Sequence, residues 1–285
     1  NSKKIGNILS KYKPDAIFNL AAETHVDRSI DSPKNFIQSN ILGVYNLLEV
    51  LKYFKKKNKK IKLIHISTDE VYGDILAGRA DEKFPYQPSS PYSASKASAD
   101  HLIKSYIRTY KISAIISNCS NNYGPYQFPE KLIPLIILNA MDGKNLPVYG
   151  DGQQVRDWLY VTDHCEAIQS VLNSGAVGET YNVGGESEKT NLEVVRKVCE
   201  ALDELRPSAS GESYKHLIKH VTDRPGHDRR YAVDITKINK ELGWSPKKTF
   251  ESGIKETVQW YLDNQGWIDR VRSGAYREWV VKQYG

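Results

Sequence analysis

Apolar residues recur along the first part of the chain in two alternating patterns, short continuous runs and longer segments with helical spacing. The continuous runs lie at residues 14–20, 61–66 and 114–118, and each has the length of a strand. Between them, residues from about 33 to 53 and from about 95 to 110 carry apolar side chains every three or four positions. Strands that alternate with helices of this length are typical of βαβ units, so the pattern predicts an α/β fold with a parallel sheet.

The pattern changes after Asn118, where Gly and Pro become frequent and the helical segments look shorter. Helical spacing returns near residues 130–141, 163–173, 191–204 and 250–263. These features predict a second, loop-rich lobe in addition to the sheet.

The first strand-like segment already ends in Leu20-Ala21-Ala22. A dinucleotide-binding sheet normally begins with a strand, a Gly-rich turn and a helix whose N-terminal amides hold the pyrophosphate. No G-x-G-x-x-G pattern precedes this segment in the sequence. Two interpretations therefore stay open at this point: the fold does not bind a dinucleotide, or the chain starts inside a fold that does.

Composition narrows the class of protein. Of the 285 residues, 40% are apolar and 26% are charged, which is typical of a globular protein with a sizeable core. Because no stretch approaches the roughly 18 apolar residues of a membrane span and no basic-then-apolar leader opens the chain, we expect neither a membrane protein nor a secreted one. Cys119, Cys165 and Cys199 are odd in number and far apart, which predicts reduced thiols in the cytoplasm.

The net charge of +6 is mild, and much of the local excess lies in the lysine-rich residues 55–60. We interpret this run as a solvated turn, because nucleic-acid binding would need basic residues spread along one face, often interleaved with aromatic ones. Small anionic substrates fit the charge better, and we expect no nucleic-acid partner.

His216 and His220 lie four residues apart, a spacing that can hold zinc on a helix. No third ligand is evident near them in the sequence. We therefore predict that both are surface residues and that the protein uses no metal.

Ser67-Thr68-Asp69-Glu70 directly follows the apolar run at 61–66, so it lies at the carboxyl end of a predicted strand. Open α/β sheets bind their ligands at that edge. Acidic residues after a strand also cap helices, and for Asp69-Glu70 alone a cap is the more common role. Beside Thr68 and the tyrosine–lysine pair described next, we favour an acid–base pair with one carboxyl protonated and the other ionised.

Tyr92 and Lys96 are spaced so that both side chains lie on one helical face, one turn apart. A nearby ammonium stabilises a phenolate, so we expect Lys96 to lower the pKa of Tyr92 from its usual value of about 10. Such a pair can take a hydroxyl proton while a nicotinamide takes hydride. The Y-x-x-x-K pattern is also common on exposed helices, but here the small residues at 93–95 and at 97 would let a cofactor approach closely.

Several sequence blocks, in one order along the chain, together resemble the dTDP-glucose 4,6-dehydratases of the extended short-chain dehydrogenase/reductase family. Sugar-nucleotide epimerases of the wider family lack the Asp-Glu pair, so the Thr-Asp-Glu triplet separates the two groups. The resemblance covers essentially the whole chain but begins at a point after the family's Gly-rich βαβ unit. It therefore implies a chain that is truncated at its N-terminus, or one whose opening segment is missing from the sequence. The blocks are 20–29 (LAAETHVDRS), 67–73 (STDEVYG), 90–97 (SPYSASKA), 119–125 (CSNNYGP), 129–134 (PEKLIP), 156–161 (RDWLYV), 223–228 (DRPGHD) and 242–246 (LGWSP).

The resemblance implies a lyase that keeps NAD bound and converts dTDP-glucose to dTDP-4-keto-6-deoxyglucose and water. Tyr92 would take the C4 hydroxyl proton with Lys96 sustaining the phenolate, and Thr68 would hydrogen-bond the C4 oxygen. Glu70 would remove the C5 proton, and Asp69 would protonate the leaving C6 hydroxyl. Each step needs a proton donor or acceptor within reach of its atom, which accounts for the density of polar groups.

The resemblance also implies which residues bind the two ligands. The cofactor-binding set is Leu20, Ala21, Ala22, Glu23, Thr24, Ser39, Tyr92, Lys96 and Asn122. The substrate-binding set is Thr24, Thr68, Asp69, Glu70, Asn121, Lys131, Leu132, Pro147, Val148, Tyr149, Arg156, Asn191, Asp223, Arg224, Pro225, Gly226 and His227. Within it, Pro147, Val148 and Tyr149 would border the thymine, and Arg156, Asn191, Arg224 and His227 would surround the diphosphate, for which the planar fork of arginine is well suited.

The expected architecture is a Rossmann-like parallel sheet with a smaller α/β substrate-binding lobe. The NAD-binding domain would comprise residues 1–121, about 158–186 and about 232–242, and the sugar-nucleotide lobe about 122–157, 187–231 and 243–285. The resemblance further implies a cytoplasmic homodimer, packed through helices near 34–53 and 95–110, on a route to deoxysugars such as rhamnose. The alternatives are a related nucleotide-sugar dehydratase, a 4-epimerase and a non-catalytic sugar-nucleotide-binding fragment.

Overall fold

The computed structural model describes residues 1–57, 59–272 and 274. The chain divides into two compact units. The first unit comprises Asn1–Ser120, Asp163–Gly185 and Pro225–Ser245, and the second comprises Asn121–Thr162, Glu186–Arg224 and Pro246–Gly285. Asn58 of the lysine-rich run, and residues 273 and 275–285 of the predicted smaller lobe, lie outside the described residues.

Helices and strands alternate along the chain. The α-helices are α1 Ser2–Tyr12, α2 Val26–Asp31, α3 Pro33–Phe36, α4 Gly43–Lys56, α5 Pro91–Tyr110, α6 Leu132–Met141, α7 Val161–Ser174, α8 Asn191–Leu205, α9 Thr236–Leu242, α10 Phe250–Asp263 and α11 Gln265–Arg272. The strands are β1 Ala16–Asn19, β2 Lys62–Thr68, β3 Ala114–Cys119, β4 Asn121–Tyr123, β5 Leu146–Tyr149, β6 Val155–Tyr160, β7 Thr180–Val183, β8 Glu188–Thr190 and β9 Ile218–Val221. A π-helix covers Ile37–Leu42, and 3₁₀ turns cover Asp69–Tyr72 and Tyr214–Leu217.

The first unit contains a parallel sheet that, within the described residues, has the strand order β1-β2-β3-β7. Its two inner strands are buried on both faces, as their nearly continuous apolar sequences predict. The register pairs Thr68, the last residue of β2, with Cys119, the last residue of β3. The carboxyl ends of these strands therefore meet at one edge, and the predicted α/β fold with a Rossmann-like parallel sheet is confirmed.

Apolar side chains of the strands and of α4 and α5 form the core of the first unit. Leu48, Leu63 and Ile103 are fully buried in it, and Ile116 is almost fully buried. Burying each such side chain contributes about 1.5–3 kcal/mol, so this cluster holds the helices against the sheet.

Helix α5 carries the tyrosine–lysine pair, and it begins at Pro91 rather than at about residue 95 as predicted. The earlier start has a local cause, because the Ser90 hydroxyl accepts a hydrogen bond from the Ser93 amide and the Ser93 side chain bonds back to the Ser90 amide. Proline is well suited to the first helical position because its fixed φ matches the helix. The cap places Tyr92 in the first turn of α5.

The helical spacing at 33–53 corresponds to α3, the π-helix and α4 in succession rather than to one regular helix. A π-turn is wider than an α-turn and is often found at functional sites. Here the π-helix buries Asn40, whose side-chain amide bonds both the Glu23 backbone and the Ser95 hydroxyl. The widened turn thus connects the loop after β1 to helix α5.

The second unit has its own core and its own strand pairs. Strands β4, β6 and β8 form one sheet of the described residues, and β5 pairs with β9. Helices α6, α8 and α10 supply most of the core, packed with aromatic side chains such as Tyr123 and Trp158. The predicted smaller lobe included residues 225–231, which lie in the first unit of the structure.

Candidate active site

The end of strand β2 leads directly into a tight acidic turn. The Thr68 hydroxyl accepts a hydrogen bond from the Glu70 amide at 3.3 Å and donates one to the Asp69 carboxylate, also at 3.3 Å. Asp69 is buried and Glu70 is partly buried. Because Thr68 caps the 3₁₀ turn through its own side chain, both carboxyl groups are held close to the strand end.

Gly73 ends this turn in a backbone conformation that other residues rarely adopt. Its φ is 73° and its ψ is −155°, a region that is essentially restricted to glycine. A Cβ added at this position would lie 2.2 Å from the carbonyl oxygen of Gln87. Glycine is therefore required for the turn that carries Asp69 and Glu70.

Tyr92 lies beside this acidic turn. Its ring is buried, its hydroxyl is hydrogen-bonded to the side chain of Thr68, and the charges of Glu70 and Asp69 both act on it. The phenol and the two carboxyl groups, predicted from separate sequence blocks, thus lie together at the carboxyl end of β2.

The pKa of Tyr92 is shifted in the direction opposite to the one expected from the sequence. Burial raises it well above the usual value, and the negative charge of Glu70 adds to the increase, while the hydrogen bond with Thr68 opposes it. The expectation that Lys96 lowers the pKa of Tyr92 was wrong for this arrangement, because burial and the charges of Glu70 and Asp69 raise it.

The Lys96 side chain is directed toward the sheet. Its ammonium donates a hydrogen bond to the Ile66 carbonyl oxygen at 2.6 Å, and only 4% of the residue is exposed. Burial lowers the pKa of Lys96, and the negative charge of Asp100 is the largest effect that opposes this.

Asp100 is the centre of a buried polar network beneath the site. Its Oδ2 accepts hydrogen bonds from Ser67 Oγ at 2.8 Å and from Tyr86 Oη at 3.1 Å. Its Oδ1 lies 3.6 Å from Nε2 of His65, whose Nδ1 contacts the Asn19 side-chain amide at 2.9 Å. Burial raises the pKa of Asp100 to about 6 and lowers the pKa of His65 well below its usual value, so His65 is neutral.

A second part of the network extends along β3 and β7. Tyr72 Oη donates to Asn182 Oδ1 at 2.8 Å, and the Asn118 amide donates to Tyr72 Oη at 2.9 Å and to Tyr86 Oη at 3.2 Å. Burial raises the pKa of both tyrosines, so both hydroxyls stay protonated at neutral pH. These bonds fix the far end of the acidic turn to the sheet.

Asp100, Tyr86, His65 and Asn40 were not singled out in the sequence. A signal existed for Asp100, which follows Lys96 by four residues and therefore lies on the same face of α5. The other three depend on partners far away in the sequence, which no local pattern indicates.

The residues predicted to bind the cofactor lie mostly in the loop after β1, at the same sheet edge as Thr68. The register pairs Asn19, the last residue of β1, with His65 of β2. In the loop that follows, Leu20 is 58% exposed. The Asn40 side chain forms hydrogen bonds with both the backbone amide and the backbone carbonyl of Glu23. Ser39, next to Asn40, is exposed.

Several structural features of this loop suit a dinucleotide ligand. It leaves a parallel sheet at the carboxyl end of a strand, where open α/β sheets bind such ligands. It offers an exposed apolar side chain at Leu20, small residues at Ala21 and Ala22, and a backbone pinned by Asn40. A planar cofactor ring binds well to an apolar surface whose small side chains allow close contact.

The predicted substrate-binding residues fall in both units. Within the second unit, Gln154 connects two of the predicted positions, because its carbonyl accepts from the Asn191 amide and its side chain donates to Asp223 at 2.9 Å. Arg156, two residues further along β6, is 5% exposed. The other predicted residues of this unit are Asn121 in β4, Lys131 and Leu132 at the start of α6, Pro147, Val148 and Tyr149 in β5, and Arg224.

Pro225, Gly226 and His227 belong to the first unit. Gly226 has a φ of 65°, and a Cβ there would lie 3.4 Å from the carbonyl oxygen of Ser89. This loop therefore approaches the residue just before Ser90, the cap of α5.

Two other kinds of site have no counterpart in the described part of the chain. No helix there is long and apolar enough to cross a membrane, and no group of three or more His, Cys, Asp or Glu side chains is arranged to hold a metal ion. His216 lies in a 3₁₀ turn and His220 in β9, and both are exposed, so their four-residue spacing is not helical.

Comparison with known proteins places the chain in a family. A family model described as GDP-mannose 4,6 dehydratase matches residues 1–257. The dTDP-glucose 4,6-dehydratase of Salmonella typhimurium is 54% identical over 299 residues, covering 100% of this chain and 82% of that protein. The dTDP-glucose 4,6-dehydratase of Neisseria meningitidis serogroup B is 56% identical over 285 residues, covering 96% of this chain and 80% of that protein.

Solved structures agree with the sequence comparison. The crystal structure of DesIV, a dTDP-glucose 4,6-dehydratase from Streptomyces venezuelae with NAD and TYD bound, matches with a TM-score of 0.87 and 41% identity, covering 95% of this chain and 80% of that one. The chain belongs to the dTDP-glucose 4,6-dehydratases, within the family that the GDP-mannose 4,6 dehydratase model describes.

Proposed function

We propose that this chain is an NAD-dependent lyase that converts dTDP-glucose to dTDP-4-keto-6-deoxyglucose and water. The observation that carries the proposal is the convergence of a buried phenol, a buried lysine and two carboxyl groups at the end of β2. The names of the curated relatives, at 54% and 56% identity, supply the substrate and the reaction.

The residues proposed to hold NAD are those of the loop after β1, from Leu20 to Thr24, with Ser39, Tyr92 and Lys96. When bound, NAD supplies a hydride acceptor and later a hydride donor, and its positively charged ring favours ionisation of a phenol. The contribution predicted for Asn122 of the second unit stays a prediction.

The first proton transfer is assigned to Tyr92. Its phenolate would take the proton of the C4 hydroxyl, and the Thr68 hydroxyl, already bonded to the phenol, would donate to the C4 oxygen. Since burial and Glu70 raise the pKa of Tyr92, the phenolate needs compensating positive charge. Lys96 in its charged form would supply part of it.

The elimination is assigned to the two carboxyl groups. The C4 ketone makes the C5 proton acidic, and the Glu70 carboxylate would remove it. Asp69 would donate a proton to the C6 hydroxyl, so that the C6–O bond breaks and water leaves. Return of a hydride to C6 and of a proton to C5 then gives the 4-keto-6-deoxy sugar, with water as the only atoms lost.

The test is to incubate the purified protein with dTDP-glucose and to measure the absorbance of the 4-keto product in alkali. GDP-mannose serves as the comparison substrate, because the matching family model carries that sugar in its description. Keto product from dTDP-glucose supports the proposal. A galactose epimer without keto product, or turnover of GDP-mannose alone, would overturn it.

We also propose that the protein is a homodimer that packs through α4 and α5. The support is a set of large apolar side chains left exposed on these helices and the preceding π-helix: Ile37 49%, Leu42 49%, Tyr45 43%, Tyr53 53% and Tyr110 42% exposed. Light scattering should give the mass of two chains, and Leu42→Asp should give one chain with an unchanged far-UV spectrum. A wild-type mass of one chain would contradict this proposal.

The cellular setting is proposed on chemistry alone. No disulfide links Cys119, Cys165 and Cys199, as expected for proteins of the reducing cytoplasm. The proposed product is a precursor of deoxysugars such as rhamnose. Cell fractionation and the loss of 6-deoxysugars in a strain that lacks the protein test these two points.

A further inference from the structure

Lys96 is in an environment that disfavours its charge. Only 4% of the residue is exposed, and burial lowers its pKa. A buried ammonium without a counter-charge tends to lose its proton, because the charged form loses its hydration. The proposed mechanism, on which this inference rests, needs the charged form beside Tyr92.

Asp100 is the carboxylate best placed to balance this charge. It is completely buried, follows Lys96 by one turn of α5, and is the largest effect that raises the pKa of Lys96. The effect is mutual, since Lys96 is the largest of the effects that lower the pKa of Asp100 against its burial. The two side chains thus stabilise each other's charged forms.

The Asp100 carboxylate is fixed to the strand that carries the site. Ser67 Oγ donates to its Oδ2 at 2.8 Å, and Ser67 immediately precedes Thr68 on β2. Tyr86 Oη donates to the same oxygen at 3.1 Å. Lys96 in turn bonds the carbonyl oxygen of Ile66 on that strand. Both members of the pair are therefore tied to the two residues before Thr68.

The other titratable groups around Asp100 do not replace Lys96 as its main positively charged neighbour. His65 faces its free oxygen, but burial lowers the pKa of His65 well below the usual value, so the ring is neutral. Lys104, on the same helix, is 3.4 Å from Tyr86 Oη and acts on Asp100 more weakly than Lys96 does. Tyr72 and Tyr86 have raised pKa values and stay uncharged.

We propose that Asp100 is a positioning residue of the reaction, whose buried carboxylate keeps Lys96 charged and held against β2. It acts through Lys96 and is not itself a proton donor or acceptor for the sugar. Removing its charge should leave substrate binding intact and change the pH range in which the enzyme works.

Two changes in the pH profile follow. Asp100 has a pKa of about 6, so below that pH it becomes neutral and Lys96 loses its counter-charge, which gives an acidic limb of kcat. Without the Asp100 charge, Lys96 should lose its proton at lower pH, because burial is then opposed by the smaller effect of Cys119.

The main experiment measures kcat and KM for dTDP-glucose against pH in the wild-type chain and in Asp100→Asn. We expect kcat at pH 8 to fall by about tenfold or more, with KM changed by less than about threefold. The inflection near pH 6 should disappear, and the alkaline limb should move down by about one pH unit or more. A general loss of folding would lower the amplitude but would not move the limbs.

Ser67→Ala provides a second variant that keeps the carboxylate. The Ser67 hydrogen bond lowers the pKa of Asp100, so its loss should move the acidic limb to higher pH. Ser98→Ala is the matched control, because Ser98 lies on the same helix and its hydroxyl donates to the Ala94 carbonyl oxygen of that helix at 2.8 Å. Its profile should equal that of the wild type.

A titration that needs no turnover separates this inference from the proposed function. In ¹³C-aspartate-labelled protein, the Asp100 carboxyl, identified by its absence in Asp100→Asn, should titrate near pH 6, and Lys96→Met should raise that value. If the wild type makes no keto product, the proposed function fails, but the titration still shows whether Asp100 and Lys96 interact. An Asp100 titration that Lys96→Met does not move, or an unchanged profile in folded Asp100→Asn, would overturn the inference.

Discussion

Replacing Gly73 by alanine tests whether the acidic turn is held as tightly as the structure indicates. The φ of 73° and ψ of −155° at Gly73 lie in a region that costs a non-glycine residue about 1–3 kcal/mol. The added Cβ would also lie 2.2 Å from the Gln87 carbonyl oxygen, so the backbone there must move. The Gln87 amide bonds the Val71 carbonyl at 3.0 Å, and weakening that bond adds about 1 kcal/mol.

These terms predict that Gly73→Ala lowers the free energy of unfolding by about 3 kcal/mol. Gly78 supplies a matched control, because it has a similar φ of 70° but nothing lies within 4 Å of an added Cβ. Gly78→Ala should therefore cost only the backbone term of about 1 kcal/mol. The difference between the two variants contains the contact with Gln87 together with the larger backbone strain at Gly73.

Urea unfolding followed by tryptophan fluorescence measures both variants, with equal m-values as the check that the unfolded states are comparable. Activity gives a second measurement, because moving the turn displaces Asp69 and Glu70. We expect Gly73→Ala to lower kcat by more than about tenfold and Gly78→Ala to leave it unchanged. If the two variants lost the same stability within about 0.5 kcal/mol, the turn would not be held by the Gln87 backbone as described.

Three further predictions concern single side chains. Tyr92→Phe should lower C4 oxidation by about 10²–10⁴-fold without unfolding the protein, as measured by single-turnover formation of reduced nicotinamide; oxidation at the native rate would remove Tyr92 from the reaction. Glu70→Gln should leave C4 oxidation detectable but slow C5 proton loss, so solvent-hydrogen exchange at C5 at the native rate would show that another group is the base. Burial lowers the pKa of His164 to about 4, below its unfolded value near 6.5, so the unfolded chain binds the extra proton between these values and the folded protein loses stability as pH falls from 6.5 to 4. His164→Gln should remove up to about 3 kcal/mol of that pH dependence in urea unfolding, and an unchanged slope would mean that the ring is not desolvated.

The local elements and the position of the site could be read from the sequence. Apolar runs and helical spacing gave β1, β2, β3 and α5 to within a few residues, because burial on two faces or on one face leaves a period that the sequence records. The same reasoning located Thr68-Asp69-Glu70 at a strand end and put Tyr92 and Lys96 on one helical face. Blocks spread over the chain then indicated the family, as the comparisons confirmed.

Only the tertiary structure decided the electrostatics of the site. Ser67 is 33 residues from Asp100, and Asn40 is 55 residues from Ser95, so neither contact has a local pattern that could reveal it. The pKa of Tyr92 moved opposite to the prediction because desolvation depends on how completely the chain encloses the phenol. Side-chain periodicity is a property of neighbouring residues, whereas burial and charge balance arise from segments that meet only in the folded chain.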